Sequence, residues 1–568
     1  MFCNRCLGLN PHAIELTALV LLAPLVWLGL AGRNLRRRFT GRPFSRFAAR
    51  RGLAVLSVGV AALAIRAALL PLHPPPEPYV VDENSYLLAA DTFASGRAAN
   101  APHPFWIHFE TICVLSQPKV ASKYPPGQGL VLAAGILLAQ RPWVGVWLSV
   151  GAMCASIVWM LQGWVPPRWA LLGGILVVVR IAAGSYWIDS YWGGAVAATG
   201  GALFYGALPR LMRQLTLRDS LVLGVGLAIL ANSRPFEGLV VTMPALAVLA
   251  VWAFRRGWPA ARALVPMVAV LAVTAVAMLA YNRAVTGSPW QMPYQLHEAQ
   301  YAIAPLFLFQ KLRPEPVYRH APIKAFWTGF ARDEYLKSFR MGLVAASLEK
   351  IENVRDFFLG PLLTLPLLAL PWAWRQKRFR LIYISLGVLL CAQLTVMGVL
   401  PHYTAPATAL IYLTVIQCLR YLRISGPTGL VLARTIPAVL AFTMLLFYAL
   451  EASGSTFLHE PYSWCFARPG NLERAQLLRQ LEATPGRHLV MVRYGPNHVP
   501  NWEWVYNRAD IDGAKVVWAH EMDASRNRRL MEYFHERQVW LVEPDTTHPV
   551  LKPYAEQRGQ LSLVDEKR

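Results

Sequence analysis

The chain has 568 residues, of which 55% are hydrophobic, with a mean hydropathy of +0.35 and 20 tryptophans. This composition is too apolar for a soluble enzyme and indicates a polytopic membrane protein. The net charge of +23 is high enough to suggest nucleic-acid binding, so its distribution along the chain decides what it means.

The positive charge is concentrated in short links between apolar segments. These links carry 22 Lys or Arg residues and a single acid, Asp219, whereas the rest of the chain is nearly neutral. They are residues 33–51, 168, 210–218, 255–262, 375–380 and 420–434. An excess of Lys and Arg in cytoplasmic loops sets membrane orientation. The charge therefore indicates topology, and no nucleic-acid partner is expected.

Apolar segments that approach the roughly 20 residues needed to cross a bilayer recur along the chain. We predict about twelve transmembrane helices, at residues 13–32, 52–72, 143–162, 169–183, 194–208, 220–231, 238–254, 263–281, 358–374, 380–397, 404–420 and 430–450. The first run is followed, not preceded, by basic residues and lacks an evident cleavage site, so we expect a retained helix and not a signal peptide. With the first basic link in the cytoplasm, alternation of the spans places every later basic link there too.

Gly127–Gln140 is apolar but only 14 residues long, the length of an interfacial or re-entrant helix. Counting it as a span would move the later basic links outside, so we place it on the outer surface. The loops 73–142 and 282–357 then also lie outside. The predicted domains are residues 1–51 (an extra N-terminal helix and its basic link), 52–450 (the transmembrane domain) and 451–568 (a soluble outer domain).

The C-terminal tail alternates predicted helices and strands, which indicates an α/β domain of about 100 residues. Helices are predicted at Asn471–Ala483 and Arg526–Glu536. Strands are predicted at His488–Arg493, Val516–Ala519 and Val539–Val542. The predicted fold class is therefore an all-α polytopic membrane protein with a small C-terminal α/β extracytoplasmic domain.

Two short motifs have the spacing of metal ligands. Asp510-Ile-Asp512-Gly513 resembles the DxD of nucleotide-sugar enzymes, but Asp before Gly is equally a turn signal, which we favour. Cys3-Asn-Arg-Cys6 has CxxC spacing without a second pair, and we interpret it as incidental.

The first outer loop also contains His103, His108 and Glu110, without a dependable ligand spacing. We favour hydrogen bonding within the loop or to a sugar over a metal site. No cofactor is predicted, and a divalent metal is left open without support.

Two acids, Asp82 and Glu83, follow the second predicted span in the string Val81-Asp82-Glu83-Asn84-Ser85-Tyr86. We expect this segment to form an amphipathic helix lying along the membrane. In a helix Asp82 and Tyr86 share a face, whereas Glu83 points about 100° away. The two acids therefore have different surroundings. The alternative is that Asp82 is a helix N-cap and Glu83 a favourable charge in the first turn.

Lys123 stands near the end of the same loop, in the string Ser-Lys-Tyr-Pro-Pro-Gly. The prolines keep its backbone extended just before the short apolar helix. A lysine at headgroup depth is well placed to meet a lipid phosphate as a compact charge. The alternative is ordinary snorkelling or contact with anionic headgroups.

The pattern Asp-Glu-x-x-Tyr at residues 82–86 is followed about forty residues later by Lys123 and prolines. Both motifs lie in the predicted first outer loop, and they occur in this order. This arrangement resembles the GT-C superfamily of polyprenyl-phosphate-dependent glycosyltransferases, which includes protein O-mannosyltransferases and lipid A aminoarabinose transferases. The resemblance covers about residues 52–450. It implies many spans, a large first outer loop and an outer C-terminal domain. The helix 13–32 is additional to that layout, and the tail has no match in it.

The resemblance implies that Asp82 is the catalytic base, which takes the proton of an acceptor hydroxyl. It implies that Lys123 contacts the leaving phosphate, whose growing charge needs cationic stabilisation. Glu83 is then a supporting residue of the catalytic pair, and Tyr86 is assigned to substrate binding. A single displacement needs no covalent enzyme intermediate and inverts the sugar configuration.

Three further residues are candidate substrate contacts. Asp189 lies in the short second outer loop, Trp187–Trp192, whose aromatic residues equally suit an interfacial belt. Arg234 lies between two apolar runs, where an arginine is costly unless it is paired or functional, and a structural pair with Glu237 is the alternative. His402 precedes a helix that starts in the outer leaflet, where related enzymes often have Arg-Tyr, and is expected to assist at the phosphate.

These observations predict an integral glycosyltransferase of the plasma (inner) membrane, with active loops and C-terminal domain outside the cytoplasm. It would move a sugar from a polyprenyl-phosphate donor to a protein, lipid or glycan acceptor. The sequence contains no GxxxxGK[ST] and no GxGxxG that opens a helix, which agrees with a lipid-linked donor. The rivals are a transporter or flippase of polyprenyl-linked sugars and a non-catalytic envelope assembly protein whose acid pair only caps a helix.

Overall fold

The computed structural model describes residues 10–31, 42–455, 457, 462–465 and 467–554. The CxxC at Cys3 and Cys6 and the arginines from Arg33 to Arg38 lie outside the described residues.

Helices make up most of residues 11–452, and the longest of them are apolar segments separated by glycine, proline and basic residues. In chain order they are α1 (Pro11–Ala31), α2 (Arg42–Ala49), α3 (Arg51–Ala68), α4 (Val81–Ala94), α5 (Pro126–Ala139), α6 (Pro142–Trp164), α7 (Pro167–Val177), α8 (Ala195–Gln214), α9 (Leu217–Ser233), α10 (Pro235–Arg256), α11 (Trp258–Thr286), α12 (Pro293–Tyr301), α13 (Ala321–Ala325), α14 (Arg332–Arg340), α15 (Leu343–Phe358), α16 (Gly360–Thr364), α17 (Leu370–Ala373), α18 (Lys377–Leu394), α19 (Thr408–Ile424) and α20 (Pro427–Ala452). Proline in the first turn starts α5, α6, α7, α10 and α11, because its fixed φ suits a position whose N–H has no helical partner.

Shorter elements join these helices. Val178–Ala182 continues α7 as a π-helical turn, and Phe326–Ala331 does the same between α13 and α14. Single 3₁₀ segments occur at Trp106–Phe109, Leu365–Ala369, Pro401–Tyr403 and Ala405–Ala407. The strands β1 (Val114–Leu115) and β2 (Ala121–Ser122) form an antiparallel hairpin in the loop 73–142, the predicted first outer loop.

Each of the twelve predicted spans overlaps at least one of these helices. Six helical segments in the described residues are long and apolar enough to cross a bilayer: α3, α6, α10, α11, Ala405–Ile424 and α20. A seventh arises if α15 and Gly360–Ala373, which meet at 102°, form one span. A multi-pass membrane protein is supported, but the predicted number is not confirmed, because helices such as α7 (11 residues) and α9 (17 residues) are short.

The C-terminal segment forms a mixed sheet with two helices, as the sequence predicts. Its elements are α21 (Leu472–Ala483), β3 (Arg487–Val492), β4 (Val516–His520), α22 (Ala524–Tyr533), β5 (Arg537–Val542) and β6 (Lys552–Pro553). The strand order is β4-β3-β5-β6, with β3 parallel to both neighbours and β6 antiparallel to β5. The predicted helices and strands of the tail are confirmed to within a few residues.

The C-terminal segment packs on the first outer loop just before α4. The backbone N–H of Glu77 donates to the Pro469 carbonyl at 3.0 Å, and the N–H of Asn471 donates to the Pro78 carbonyl at 3.1 Å. Between them Gly470 has a φ of +97°, and a Cβ there would lie 1.8 Å from the Glu77 carbonyl oxygen. Only glycine permits this contact.

The far end of α4 is also held by the C-terminal segment. Asp91 accepts the backbone N–H of Ala509 at 2.8 Å and lies 3.3 Å from the Arg508 guanidinium. Ten of the fourteen residues of α4 are buried. The predicted exposed polar face of an amphipathic helix is therefore wrong, because neighbouring protein encloses α4 on most sides. Its orientation along the membrane stays a prediction.

Candidate functional site

A cavity of about 790 Å³ opens between the first outer loop, the junction of α9 and α10, and helices α12, α14 and α15. We call it the central cavity. Four predicted site residues line it: Asp82, Tyr86, Lys123 and Arg234. The fold thus brings together residues from α4, from the end of the β1–β2 hairpin and from the start of α10.

Glu83, not Asp82, caps the start of α4. Its Oε2 accepts the backbone N–H groups of Tyr79 at 2.7 Å and Val80 at 3.1 Å, and its Oε1 accepts that of Tyr191 at 2.9 Å. Burial raises the pKa of Glu83 to about 7, opposed by these three donors. Glu83 does not line the cavity, and the alternative in which Asp82 is the N-cap is wrong.

Asp82 is half-buried and faces the cavity. Its Oδ1 accepts a hydrogen bond from the Tyr124 hydroxyl and lies 3.9 Å from Cys113 Sγ. Tyr86 stacks on Tyr124 with ring centroids 4.6 Å apart, so Asp82 and Tyr86 share a face as predicted. Burial and the Asp82 carboxylate raise the pKa of Tyr124, which keeps its hydroxyl a donor. Tyr124 is not predicted as a site residue from the sequence, where its only signal is its place beside Lys123.

Lys123 is enclosed by aromatic rings. Its Nζ lies 5.3 Å from the ring centre of Tyr124 and 5.4 Å from those of Tyr294 and Trp327. Its ion-pair partner is Glu298, at 3.6 Å. The side chain is 7% exposed, so it does not snorkel to the surface. Lys123 therefore supplies a buried charge to the cavity wall, partly neutralised by a carboxylate.

Arg234 occupies the break between α9 and α10, where Pro235 starts the next helix. Its guanidinium carbon lies 4.6 Å from the ring centre of Tyr403, another cavity residue. Within the residues that the structure describes, no carboxylate lies within the 4.0 Å of an ion pair with it. The predicted alternative, a structural pair with Glu237, does not form at that distance. Arg234 presents a positive charge to the cavity.

Asp189 does not line the central cavity. Its carboxylate forms a 2.6 Å ion pair with Arg66, which also donates to the His73 carbonyl at 2.8 Å. Trp187, Tyr191 and Trp192 in the same loop are all buried by other parts of the protein, so these rings do not form an interfacial belt. The Arg66–Asp189 pair joins the end of α3 to the second outer loop.

His402 is also buried outside the cavity lining. The Tyr186 hydroxyl lies 2.8 Å from His402 Nδ1 and accepts the backbone N–H of His402 at 3.0 Å. Burial, with Arg234 nearby, holds the pKa of His402 well below its usual range. The contacts of His402 with Tyr186 hold the backbone next to Tyr403 in place, and Tyr403 lines the cavity.

The candidate metal ligands of the first outer loop contact other parts of the protein. His103 pairs with Asp512 at 3.1 Å, and His108 donates to the His520 carbonyl at 3.0 Å. Glu110 accepts from the Tyr301 hydroxyl at 2.7 Å. No group of three or more His, Cys, Asp or Glu residues with metal-site geometry occurs in the described stretches of the chain.

The Asp510-Ile-Asp512-Gly513 motif forms a turn. The backbone N–H of Gly513 donates to Asp510 Oδ1 at 3.0 Å, the side-chain-to-backbone bond typical of an Asp-initiated turn. Tyr533 donates to Asp512 at 3.2 Å. This motif therefore stabilises the C-terminal domain and its contact with the first loop.

Neither a family model nor a curated protein matches the sequence. Similar solved structures include the Archaeoglobus fulgidus oligosaccharyltransferase tethered with an acceptor peptide, at 12% identity and a TM-score of 0.46, over 86% of this chain and 68% of that one. ArnT from Cupriavidus metallidurans bound to undecaprenyl phosphate is similar at 14% identity and a TM-score of 0.45, over 86% of this chain and 93% of that one.

With TM-scores below 0.5, this likeness assigns neither substrate nor mechanism to the chain.

Proposed function

We propose that this protein is an integral membrane glycosyltransferase that moves a sugar from a polyprenyl-phosphate donor to an acceptor on the outer face of the plasma membrane. The observation that carries the proposal is the central cavity. In a chain with several candidate spans, one cavity holds, among other charged residues, the half-buried carboxylate of Asp82 and the cationic side chains of Lys123 and Arg234. A base and an anion-binding group in one cavity are the two functions that transfer from a phosphate carrier requires.

Asp82 is the proposed general base. The acceptor oxygen attacks the anomeric carbon as its proton passes to Asp82, and the bond from that carbon to the phosphate oxygen breaks. The phosphate leaves with the bonding electron pair, and the sugar configuration inverts. Tyr124 fixes one oxygen of the carboxylate, which leaves Oδ2 to receive the proton. Tyr86 packs behind Tyr124 and holds its ring in place.

Arg234 is the proposed principal contact of the leaving phosphate. Its guanidinium lines the cavity, which Glu237 also lines, and makes no ion pair within 4.0 Å with a described carboxylate, so its donors are available to a phosphate. A guanidinium matches phosphate oxygens with two parallel donors. Lys123 adds a second positive charge, reduced by its contact with Glu298 at 3.6 Å. Glu83, Asp189 and His402 support the surrounding backbone instead of touching substrate.

The test uses purified protein in lipid nanodiscs, radiolabelled polyprenyl-phosphate sugars and a membrane extract as the acceptor source. We expect Asp82→Asn to reduce transfer by at least about 100-fold, the usual contribution of a general base. The matched control is Asp333→Asn, an exposed acid on α14, which should transfer like the wild type.

Transfer by Asp82→Asn at a near wild-type rate would refute the assignment of the base. A wild-type protein that binds undecaprenyl phosphate but transfers no sugar from any donor would favour the transporter or flippase. Loss of folding is excluded by comparing the thermal unfolding of both variants with that of the wild type.

A further inference from the structure

A second buried ion pair lies away from the central cavity. Arg180, in the π-helical turn that follows α7, pairs through Nη1 with Glu15 of α1 at 2.9 Å. Both side chains are fully buried. Charged groups within apolar segments are costly, and they persist where they are paired or serve a function. The pair connects the additional N-terminal helix to the rest of the membrane domain.

Arg180 also binds the main chain at the end of α15. Its Nε donates to the Phe357 carbonyl at 3.1 Å, and its Nη2 donates to the Asp356 carbonyl. The last carbonyl groups of a helix have no partner within the helix, so Arg180 satisfies two of them. At this point the chain turns by 102° into Gly360–Ala373. Arg180 therefore holds the bend from one side.

Gly360 shows how closely the pair and the bend fit together. Its φ is +56°, and a Cβ on it would lie 2.3 Å from Glu15 Oε1 and 2.6 Å from Arg180 Nη2. The ring of Trp464 covers the other side of the guanidinium, with its centre 3.6 Å from Cζ. Three separate segments thus surround one guanidinium at the bend.

The bend connects directly to the central cavity. Asp356 and Phe357, whose carbonyls Arg180 holds, both line it. The Phe357 ring packs against Tyr186 with centroids 5.3 Å apart. Tyr186 in turn forms a hydrogen bond with His402. The next residue, Tyr403, packs its ring against the guanidinium of Arg234. These packed rings connect the bend to the proposed phosphate contact.

We propose that Glu15 and Arg180 are positioning residues: through them the N-terminal helix α1 fixes the end of α15 and the cavity wall that carries Arg234. The inference rests on the proposed function for its effect on transfer, but its structural part stands independently. Glu15 supplies the counter-charge, and Arg180 supplies the donors that hold the two carbonyls.

Three changes separate these two contributions. Arg180→Lys keeps the positive charge but loses the forked donors. Glu15→Asp keeps the charge on a shorter side chain, as a milder variant. The exchange Glu15→Arg with Arg180→Glu restores a neutral pair, but a glutamate cannot donate to the carbonyls of Asp356 and Phe357. The matched control is Glu352→Gln, which removes an exposed carboxylate from α15 itself.

We expect Arg180→Lys to fold and to lose kcat/KM for transfer by about 10- to 100-fold, as a displacement near 1 Å at a reacting site does. We expect the charge exchange to keep the unfolding temperature of the wild type but to lose kcat/KM. Glu15→Asp should retain most of the unfolding temperature and most of kcat/KM. Hydrogen exchange of amides 355–362 should accelerate in Arg180→Lys and in the exchanged pair. The control should match the wild type in every measurement.

Full transfer activity of the charge-exchanged protein would overturn the proposal, because a neutral pair without the donors to the two carbonyls would then be enough for activity. Unchanged hydrogen exchange and unchanged binding of undecaprenyl phosphate in Arg180→Lys would also overturn it. If the wild type neither binds undecaprenyl phosphate nor transfers sugar, the proposed function has failed. Hydrogen exchange at the bend still decides the positioning role in that case.

Discussion

Asp82 and Glu83 are adjacent residues, but the rotation of about 100° per residue in an α-helix gives them different environments. Asp82 faces the central cavity and accepts a hydrogen bond from Tyr124. Glu83 is buried and accepts three backbone N–H groups. The Glu83 carboxylate, which completes the backbone hydrogen bonds, is a structural group, and Asp82 is the proposed general base.

Glu83 makes the stability of the protein depend on pH. Burial raises its pKa from 4.5 to about 7, so the folded protein keeps a proton that the unfolded chain releases at lower pH. This contribution is fully present below pH 4.5 and is lost as the pH rises through about 7. We expect the unfolding temperature of the wild type to fall across this range relative to Glu83→Gln. A constant difference between the two proteins would contradict the prediction.

Arg234 should dominate binding of the phosphate group. We expect Arg234→Gln to weaken binding of undecaprenyl phosphate about 10- to 100-fold, because a hydrogen bond to a charged group is worth roughly 1.5–3 kcal/mol. Binding is measured by titration of the protein in nanodiscs. Arg340→Gln, which removes an exposed arginine of α14, serves as the control and should bind normally. Equal affinity of both variants would show that Arg234 does not contact the phosphate.

Several site residues are predictable from sequence because each stands at a local signal: an acid after a span, a lysine before prolines, an arginine between apolar runs. The structure places Asp82, Lys123 and Arg234 in one cavity. Sequence does not show which charges are already paired. Asp189 meets Arg66 across 123 positions of the chain, and no local pattern carries that information.

At the scale of elements, α4 shows how tertiary packing overrides a surface pattern. Its polar residues suggest one exposed face, but the C-terminal segment binds both of its ends, through Glu77 and Asp91. The helices and strands of the tail are predictable from their periodicity. Their contact with the first outer loop is not, because it depends on single hydrogen bonds between distant segments.

Two stacked histidines, His320 of the loop 282–357 and His520 of the tail, lie against the first outer loop. His320 and His520 have ring centroids 4.1 Å apart, and each lies within hydrogen-bonding distance of a first-loop carbonyl. Burial lowers the pKa of His520 to about 4 and that of His320 to about 2. Glu110 lies 3.8 Å from His320, but Arg319 and Tyr301 already bind its other oxygen. The histidines are therefore neutral in the packed state.

Acid should loosen this contact. A lowered pKa gives stability that is present above the ordinary value of 6.5 and is lost as the pH falls below it. We expect limited proteolysis of the tail to increase from pH 7 to pH 5 in the wild type and to change less in His320→Phe, which keeps a stacked ring without a titrating nitrogen. His535→Phe, at an exposed position, should behave like the wild type. Identical acid sensitivity of all three proteins would argue against the histidine pair.

For the whole molecule, the distribution of charge predicts orientation more firmly than length predicts the number of spans. Six or seven helical segments in the described residues satisfy the length and composition of a membrane span. The shorter helices lie where the sequence predicts spans, but breaks such as the π-helical turn at Val178–Ala182 interrupt them. Hydropathy averaged over a window cannot detect such breaks.

Orientation is testable by chemical labelling. In a background without the native cysteines, Val317→Cys reports on the second large outer loop and Trp258→Cys on a basic link, and both positions are exposed. We expect an impermeant maleimide to label residue 317 in intact cells and residue 258 only after the membrane is opened. Labelling of residue 258 in intact cells would show the opposite topology, with Asp82 in the cytoplasm.

The Glu15–Arg180 pair has a consequence for how the protein is made. Arg180 follows Glu15 by 165 residues, an interval of roughly 8–33 s at synthesis rates of about 5–20 residues per second. During that time the Glu15 carboxylate lacks the partner that it has in the folded protein. Gly360 and the α15 carbonyls that complete the contact emerge later still. The contact of α1 with the bend therefore forms only after the chain has been synthesised through Gly360.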